Sequence, residues 1–162
     1  MRNSLGIAYD SIKDYFSYFK EAFLFFIMDH FSYSLKEQKV RAGKVYCIDN
    51  GLRNAVSFKF SKDEGRLAEN LVFLELRRKE REIYYWKGPN QEEVDFILKN
   101  KDNSLSAINV SYSDEIDKRE MGALLKFQED FKKTKEMIII TKDNEKTQKN
   151  IKFIPLWKWL LM

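Results

Sequence analysis

Apolar residues recur at helical spacing in the first part of the chain. The residues that repeat every three or four positions are Ile12, Phe16, Phe19 and Phe23. This pattern predicts a helix over about residues 8–26, and an aromatic stripe of this kind is typical of a face that packs against a core. Residues 24–28 have no polar face, so the chain is expected to become extended there.

A basic loop and a strand are predicted next. Residues 32–43 are polar, and residues 44–48 are β-branched or aromatic, as in a strand. Asp49-Asn50-Gly51 predicts a turn. The order helix, strand, basic loop, strand is typical of a winged helix whose wing is the basic loop.

The remaining chain alternates helical and extended patterns. Helices are predicted over residues 65–78, 114–131 (with Asp114 as the N-cap) and 155–161, and strands over 82–86, 93–98, 105–112, 137–140 and 151–154. Residues 137–140 are uninterruptedly apolar, which is typical of a central strand buried on both faces. Hairpins followed by a helical crossover predict an α/β fold with a mixed sheet flanked by helices.

Composition excludes several kinds of site. With one cysteine, Cys47, and one histidine, His30, the 162 residues cannot form an internal disulfide or a zinc site. No phosphate-binding loop of the Walker A type occurs, so no nucleotide is expected to bind. The most apolar window, residues 22–28, is far shorter than the roughly 20 residues that cross a bilayer. With no signal-peptide pattern either, a cytoplasmic protein without a membrane partner is expected.

The charge permits contact with nucleic acid but does not establish it. The formal net charge is +4 and the pI is about 9.0. The candidate phosphate-binding residues are Lys36, Lys39, Arg41, Arg77 and Arg78, with Lys44, Lys79 and Arg81 as further members. These side chains either line one face or are scattered over the surface, and the sequence does not decide between the two arrangements.

Three stretches, in this order and spacing, resemble a known family. They are KVYCIDNGL at residues 44–52, GRLAENLVFLEL at 65–76, and YYW at 84–86 followed by EVDFI at 93–97. They resemble the domain that follows the ATPase module in a family of prokaryotic AAA-type ATPases. Residues 4–23 resemble the helical part of the winged helix that precedes this domain. The chain therefore resembles the C-terminal part of such a protein without its ATPase module.

The resemblance implies a restriction-endonuclease-like fold of the PD-(D/E)XK superfamily. It implies a partial winged-helix segment over residues 1–50 and a nuclease-like domain over 51–162. Glu69 matches the acid on the helix of that superfamily, and Asp95 matches the acid on its hairpin. On the next strand, Asn109 and Ser111 stand where the superfamily has Glu and Lys.

This departure bears on catalysis. Phosphodiester hydrolysis by this fold needs a hard cation held by clustered carboxylates, and a lysine near the attacking water. Asn109 offers a neutral amide and Ser111 offers no charge, so cutting is not expected. Asp95, helped by Glu69, stays a weak candidate for Mg²⁺, and no other cofactor is expected.

Purely structural roles are open for the same residues. Glu69 could pair with Arg66 or Lys62, and Asp95 could be a solvated strand residue. Glu92 and Glu93 are expected to be solvated, and Arg119-Glu120 to be a surface ion pair of little energetic value. If the implied fold holds, Glu69, Asp95, Asn109 and Ser111 should converge at one edge of the sheet. Residues 95 and 109 lie symmetrically about the turn at 101–103, so they are expected to be cross-strand neighbours.

Three functions follow as hypotheses. The first is a non-catalytic domain of an AAA-type ATPase family protein that binds nucleic acid or protein. The second is a Mg²⁺-dependent PD-(D/E)XK endonuclease with a rebuilt site, and the third is a plain protein-interaction module. A winged helix without its first helices would leave the aromatic stripe partly uncovered, so a homo-oligomer or a first helix packed on the C-terminal domain is also expected.

Overall fold

A computed structural model of the chain describes residues 8–56, 63–79, 81–113 and 118–162. Its first part contains helices α1 (Tyr9–Glu21), α2 (Leu35–Val40) and α3 (Asn50–Val56), and strands β1 (Phe25–Met28) and β2 (Lys44–Cys47). The two strands form an antiparallel hairpin. The predicted helix therefore ends at Glu21, and the apolar residues after Leu24 are extended as expected. Residues 1–7, which carry part of the resemblance to the winged helix, lie outside the described residues.

Two local predictions in this part are corrected. The basic loop contains helix α2, whose N-cap Ser34 accepts a hydrogen bond from the backbone N–H of Glu37. Asp49-Asn50-Gly51 begins helix α3 instead of forming a turn, and the Asp49 carboxylate accepts a hydrogen bond from Leu52 N at 2.8 Å. An Asp side chain that bonds backbone N–H groups serves a turn and a helix start equally well, so the sequence signal was ambiguous.

The second part is a six-stranded mixed sheet. Its elements are α4 (Glu64–Arg78), β3 (Glu82–Lys87), β4 (Glu93–Lys99), β5 (Leu105–Ser111), α5 (Lys118–Asp130), β6 (Thr134–Thr141), β7 (Lys146–Gln148), β8 (Ile151–Pro155) and α6 (Leu156–Leu160). The strand order is β3-β4-β5-β6-β8-β7. β5, β6 and β8 are parallel and the other pairs are antiparallel. The predicted α/β fold with a mixed sheet flanked by helices is confirmed, while β7 was not predicted and Asp114 lies outside the described residues.

Apolar clusters cover both faces of the sheet. Val72 and Phe73 of α4 pack on one face with Phe96, while Leu124 and Phe127 of α5 pack on the other. Each of these side chains is at most 2% exposed, and burying one contributes about 1.5–3 kcal/mol. The two helical layers thus hold β4 and β5, which carry Asp95 and Asn109, in fixed positions.

The β1–β2 hairpin is docked on α4. The Tyr46 ring stacks on Phe73, with centroids 4.2 Å apart. The Asn70 side chain accepts from Cys47 N and donates to Cys47 O, both at 2.9 Å, so it pairs with β2 as a neighbouring strand would. Phe31 N also donates to Tyr85 O at 2.6 Å, which fastens the chain after β1 to β3.

The aromatic stripe of α1 is only partly covered. Phe16 and Phe19 contact Phe25, with ring centroids 5.3 and 5.7 Å apart. They remain 45% and 43% exposed, and Phe23 is 63% exposed. The prediction that this stripe packs against the core is therefore wrong. The other prediction, that the stripe is only partly covered, is confirmed. Within the described residues, no helix is long and apolar enough to span a membrane.

Candidate functional site

The Lys44 ammonium lies among three carboxylates. Its Nζ atom is 3.2 Å from Glu69 Oε1, 2.6 Å from Glu93 Oε1 and 3.2 Å from Asp95 Oδ1. These four residues are called the Lys44 cluster below. They come from β2, α4 and β4, so the cluster joins the N-terminal hairpin to the main sheet.

Tyr46 completes the cluster from the same face of β2. Residues two apart on a strand point to the same side, so Lys44 and Tyr46 both reach α4. The Tyr46 hydroxyl donates to Glu69 Oε1 at 2.6 Å. Burial and the charge of Glu69 raise the pKa of Tyr46 well above its ordinary value, so the hydroxyl stays protonated.

The charges of the cluster are unequal. Burial lowers the pKa of Lys44, but the carboxylates of Asp95, Glu69 and Glu93 outweigh it and leave the pKa above its ordinary value. Burial, followed by the charge of Glu69, raises the pKa of Asp95 to about 7 against the opposing effect of Lys44. A permanently charged ammonium thus stands beside a carboxyl group that titrates near neutrality.

Asn109 is used to hold the backbone. The backbone ladder between β4 and β5 ends at Phe96 and Ile108. Beyond that pair, side chains form the hydrogen bonds between the two strands. Asn109 Oδ1 accepts from Asp95 N at 3.0 Å, and Asp95 Oδ2 accepts from Val110 N at 2.9 Å. Residues 95 and 109 are therefore neighbours across the two strands, as expected.

The amide nitrogen of Asn109 faces α5. Its Nδ2 donates to Glu120 Oε2 at 2.6 Å and to Glu93 O at 3.3 Å. Asn109 is fully buried, and its oxygen and nitrogen are both engaged in the fold. The amide therefore acts as a connector between β4, β5 and α5.

Ser111 is not brought into the cluster. It is buried on β5 opposite Thr141 of β6. Among the described residues, no hydrogen bond links its hydroxyl to Glu69, Asp95 or Asn109. Glu69, Asp95 and Asn109 thus lie together as expected. The convergence of Ser111, two residues after Asn109 on β5, stays a prediction.

Several sequence interpretations of acidic residues are wrong. Glu69 bonds Lys44 and Tyr46 instead of Arg66, Glu93 belongs to the Lys44 cluster, and Asp95 is not a solvated strand residue. Lys62, the other partner predicted for Glu69, lies outside the described residues. Arg119 and Glu120 form the predicted ion pair at 3.5 Å, but Glu120 also bonds Asn109 and its side chain is only 17% exposed. The sequence analysis did not predict Lys44 as a member of the site, because it is only one of many basic residues in the sequence. Its position two before Tyr46 on a strand was the available signal.

An open cleft leads to the cluster. Its volume is about 500 Å³, and Arg66, Gln91, Arg119 and Glu120 line it together with the cluster. Among the residues that the structure describes, no group of three His, Cys, Asp or Glu is arranged to hold a metal ion. A cation with the charge of the Lys44 ammonium already lies between the carboxylates.

The predicted phosphate-binding residues occupy two elements. Lys36 and Lys39 lie on α2 and Arg41 directly follows it, and all three are exposed. Arg77 and Arg78 lie in the last turn of α4. The Arg77 guanidinium stands 4.9 Å from the Phe26 ring centroid, and Arg78 pairs with Glu75 at 2.6 Å.

Comparisons with protein families divide the chain in two. Residues 64–159 match a family described as a domain of unknown function, DUF4143. Residues 1–63 match another domain of unknown function, DUF8612. Lys44 and Tyr46 thus fall in one match, while Glu69, Glu93 and Asp95 fall in the other. The predicted division at residue 50 stays a prediction.

Two curated relatives match nearly the whole chain. An uncharacterized protein of Methanocaldococcus jannaschii is 35% identical over an alignment of 168 positions that covers 96% of this chain. An uncharacterized protein of Haemophilus influenzae is 28% identical over 152 residues, which cover 93% of it. In each case the chain spans only 37% of the relative's length. No solved structure matches the chain significantly.

Proposed function

This chain belongs to the DUF4143 family, and we propose that it is a non-catalytic binding domain built on a degenerate nuclease-like fold. The observation that carries the proposal is the Lys44 ammonium, which lies within 3.2 Å of Glu69, Glu93 and Asp95. In this proposal the cluster fastens the N-terminal hairpin to the sheet. The domain then presents its surfaces to nucleic acid or to a protein of an AAA-type assembly.

The chemistry of the cluster supports a structural role. A divalent ion needs several free oxygen ligands at about 2–2.6 Å, and it competes poorly with an ammonium already bonded to the same carboxylates. Asn109 adds no negative charge and has both of its polar atoms engaged. Ser111, the other altered position, lies outside the cluster.

A fastening role agrees with the energetics of buried charges. A buried ion pair adds little net stability over apolar packing, but removing one partner leaves an uncompensated charge and is strongly destabilising. Lys44 compensates carboxylates from two elements of the main domain, so undocking the hairpin would expose them to mutual repulsion. The cluster therefore favours one position of the hairpin.

The binding part of the proposal rests on the surface. Exposed basic residues on α2 and at the end of α4 could contact phosphates, and the uncovered aromatic residues of α1 could contact protein. The relatives are longer than this chain, so the AAA-type assembly is a proposal drawn from the resemblance.

A cleavage assay tests the non-catalytic role. Supercoiled plasmid and short duplexes should stay intact when incubated with the wild-type chain and Mg²⁺ or Mn²⁺. An Asp95→Ala variant serves as the matched control for contaminating nuclease. Cleavage by the wild type that Asp95→Ala abolishes would refute the proposal.

A second candidate function has a specific observation in its favour. The Lys44 cluster contains three acids and a lysine, which are the residue types that a metal-dependent nuclease needs. In that case Lys44 would replace the lysine missing at position 111. Divalent-dependent cleavage lost in both Lys44→Met and Asp95→Ala would favour this candidate.

A further inference from the structure

A groove opens where β1 and β3 diverge. A parallel bridge between His30, two residues after the end of β1, and Tyr85 of β3 joins them. Counting back from that bridge, Met28 would face Ile83 if the pairing continued. Both residues instead line a groove of about 210 Å³, together with Ile27 and Arg81.

The backbone of β1 is open toward this groove. Ile48 N donates to Leu24 O at 3.0 Å, which makes residues 24 and 48 a hydrogen-bonded pair of the hairpin. In an antiparallel ladder such pairs alternate, so Phe25 and Ile27 turn their backbone N–H and C=O groups away from β2. Asp29 and Phe31 have the same orientation, and both bond Tyr85. Phe25 and Ile27 therefore present the edge that β3 leaves uncovered.

The other edge of the hairpin is covered at Cys47. The Asn70 side chain bonds both the N–H and the C=O of Cys47. Because this contact covers the edge of β2 at Cys47, an added strand is directed to the edge of β1.

The floor of the groove is apolar. Met28 and Phe73 are each 2% exposed, and the Phe26 ring lies 5.8 Å from the Phe73 ring. Ile83 contributes a further apolar side chain. The volume is below the roughly 300 Å³ at which small-molecule pockets begin, so it suits one anchoring side chain better than a whole ligand.

The rim of the groove is positively charged. Among the residues that the structure describes, the charged side chains that line it are Lys20, Arg77 and Arg81. The Arg77 guanidinium is held over the Phe26 ring at 4.9 Å, and Arg81 is hydrogen-bonded to Asn100. Three cations around an apolar floor are complementary to a segment that carries both carboxylates and apolar side chains.

We propose that this groove binds an extended acidic peptide segment of a partner protein. The segment adds a strand to β1, pairs with the backbone of Phe25 and Ile27, and places an apolar side chain over Phe73. Its carboxylates face Lys20, Arg77 and Arg81. A nucleic-acid strand would use the cations but neither the apolar floor nor the open backbone, which favours the peptide. The inference concerns a surface separate from the Lys44 cluster and stands whether or not that cluster is catalytic.

A binding titration tests this inference. The probes are fluorescent octapeptides of alternating Glu with Leu, Ile or Phe, each paired with its Lys-for-Glu counterpart. Anisotropy at low salt should show saturable binding of at least one acidic peptide, weakened by added salt, and no binding of the basic counterparts. Absence of binding by every acidic peptide up to about 1 mM, the weak limit of specific recognition, would overturn the proposal. Equal binding of a basic peptide, or displacement by a short DNA duplex, would do so as well.

Two pairs of variants locate the binding. The Lys20→Glu/Arg77→Glu variant should weaken binding by at least about tenfold, since like charges then face each other. The exposed pair Lys132→Glu/Lys133→Glu, before β6, is the control and should leave binding unchanged. Ile27→Pro removes an outward N–H from the β1 edge and should abolish binding. Its cross-strand partner supplies the control, because Val45→Pro removes an outward N–H from the opposite edge. Circular dichroism establishes that each variant is folded, and equal loss in both proline variants would contradict strand addition at β1.

Discussion

At the scale of single residues, Lys44 connects two parts of the molecule. It belongs to a strand of the hairpin, yet its ammonium bonds carboxylates of α4 and β4. Its charge is permanent at physiological pH because the surrounding carboxylates outweigh the cost of burial. The charges of these four side chains thus compensate one another within the fold.

Removing the Lys44 charge should destabilise the protein. Lys44→Met keeps the length of the side chain but leaves Glu69, Glu93 and Asp95 to repel one another. We expect a loss of about 2–4 kcal/mol in the free energy of unfolding at pH 7.5. Urea denaturation measures it, with the exposed Lys39→Met as the matched control. Equal stability of the two variants would mean that the cluster does not fasten the hairpin.

Asp95 should give the stability a pH dependence of known sign. Its pKa of about 7 in the folded protein exceeds its ordinary 3.8, so the folded state binds the proton more tightly than the unfolded state. This contribution is present below pH 4 and is lost as the pH rises toward about 7. Relative to Asp95→Asn, the wild type should lose about 3–4 kcal/mol between these limits. Urea denaturation of both proteins across that window checks it, and parallel profiles would contradict the raised pKa.

At the scale of elements, the hairpin depends on one helical side chain. Asn70 of α4 satisfies the backbone of Cys47 and also donates to Asn50 Oδ1 at 3.0 Å. It therefore links α4 to β2 and to the start of α3.

Loss of Asn70 should loosen the hairpin before the sheet. Asn70→Ala leaves buried polar groups of Cys47 unpaired, which costs about 2–3 kcal/mol. Hydrogen exchange should then accelerate at Cys47 and neighbouring amides, while β5 and β6 keep their protection. Asn144→Ala, on an exposed loop, is the control. Uniform acceleration over all strands would show that the hairpin and the sheet open together.

Sequence patterns predicted the elements with clear periodicity or long apolar runs. Residues 137–140 indicated the central strand β6, and the apolar positions of residues 65–78 indicated α4, because burial dictates those side chains. β7 was missed since Lys146–Gln148 is exposed and has no pattern. The Lys44 cluster was missed for another reason. Lys44 lies 25 positions before Glu69, and only the docking of the hairpin on α4 brings them together.

At the scale of the whole molecule, the exposed aromatic residues of α1 suggest association. Phe16 and Phe19 keep more than two fifths of their surface exposed although they contact Phe25. Adjacent apolar side chains such as Ile27 and Val45 are 43% and 54% exposed. Apolar patches of this kind mark surfaces that another polypeptide covers.

Self-association should therefore depend on this face. The wild-type chain is expected to sediment as a dimer or larger species at high concentration, because association removes the aromatic rings from water. Phe16→Ser/Phe19→Ser should shift it toward a monomer. Leu35→Ser serves as the control, since Leu35 is 72% exposed on α2. A wild-type chain that is monomeric at every concentration would rule out self-association through this face.

A calorimetric titration with Mn²⁺ tests most directly whether Lys44 holds the place of a metal ion. The wild-type chain should give no saturable heat, because the ammonium occupies the space between Glu69, Glu93 and Asp95. Lys44→Met should bind one Mn²⁺, and adding Asp95→Ala to that variant should remove the binding. Saturable Mn²⁺ binding by the wild type that disappears in Asp95→Ala would contradict this placement of Lys44 and favour the metal-dependent nuclease.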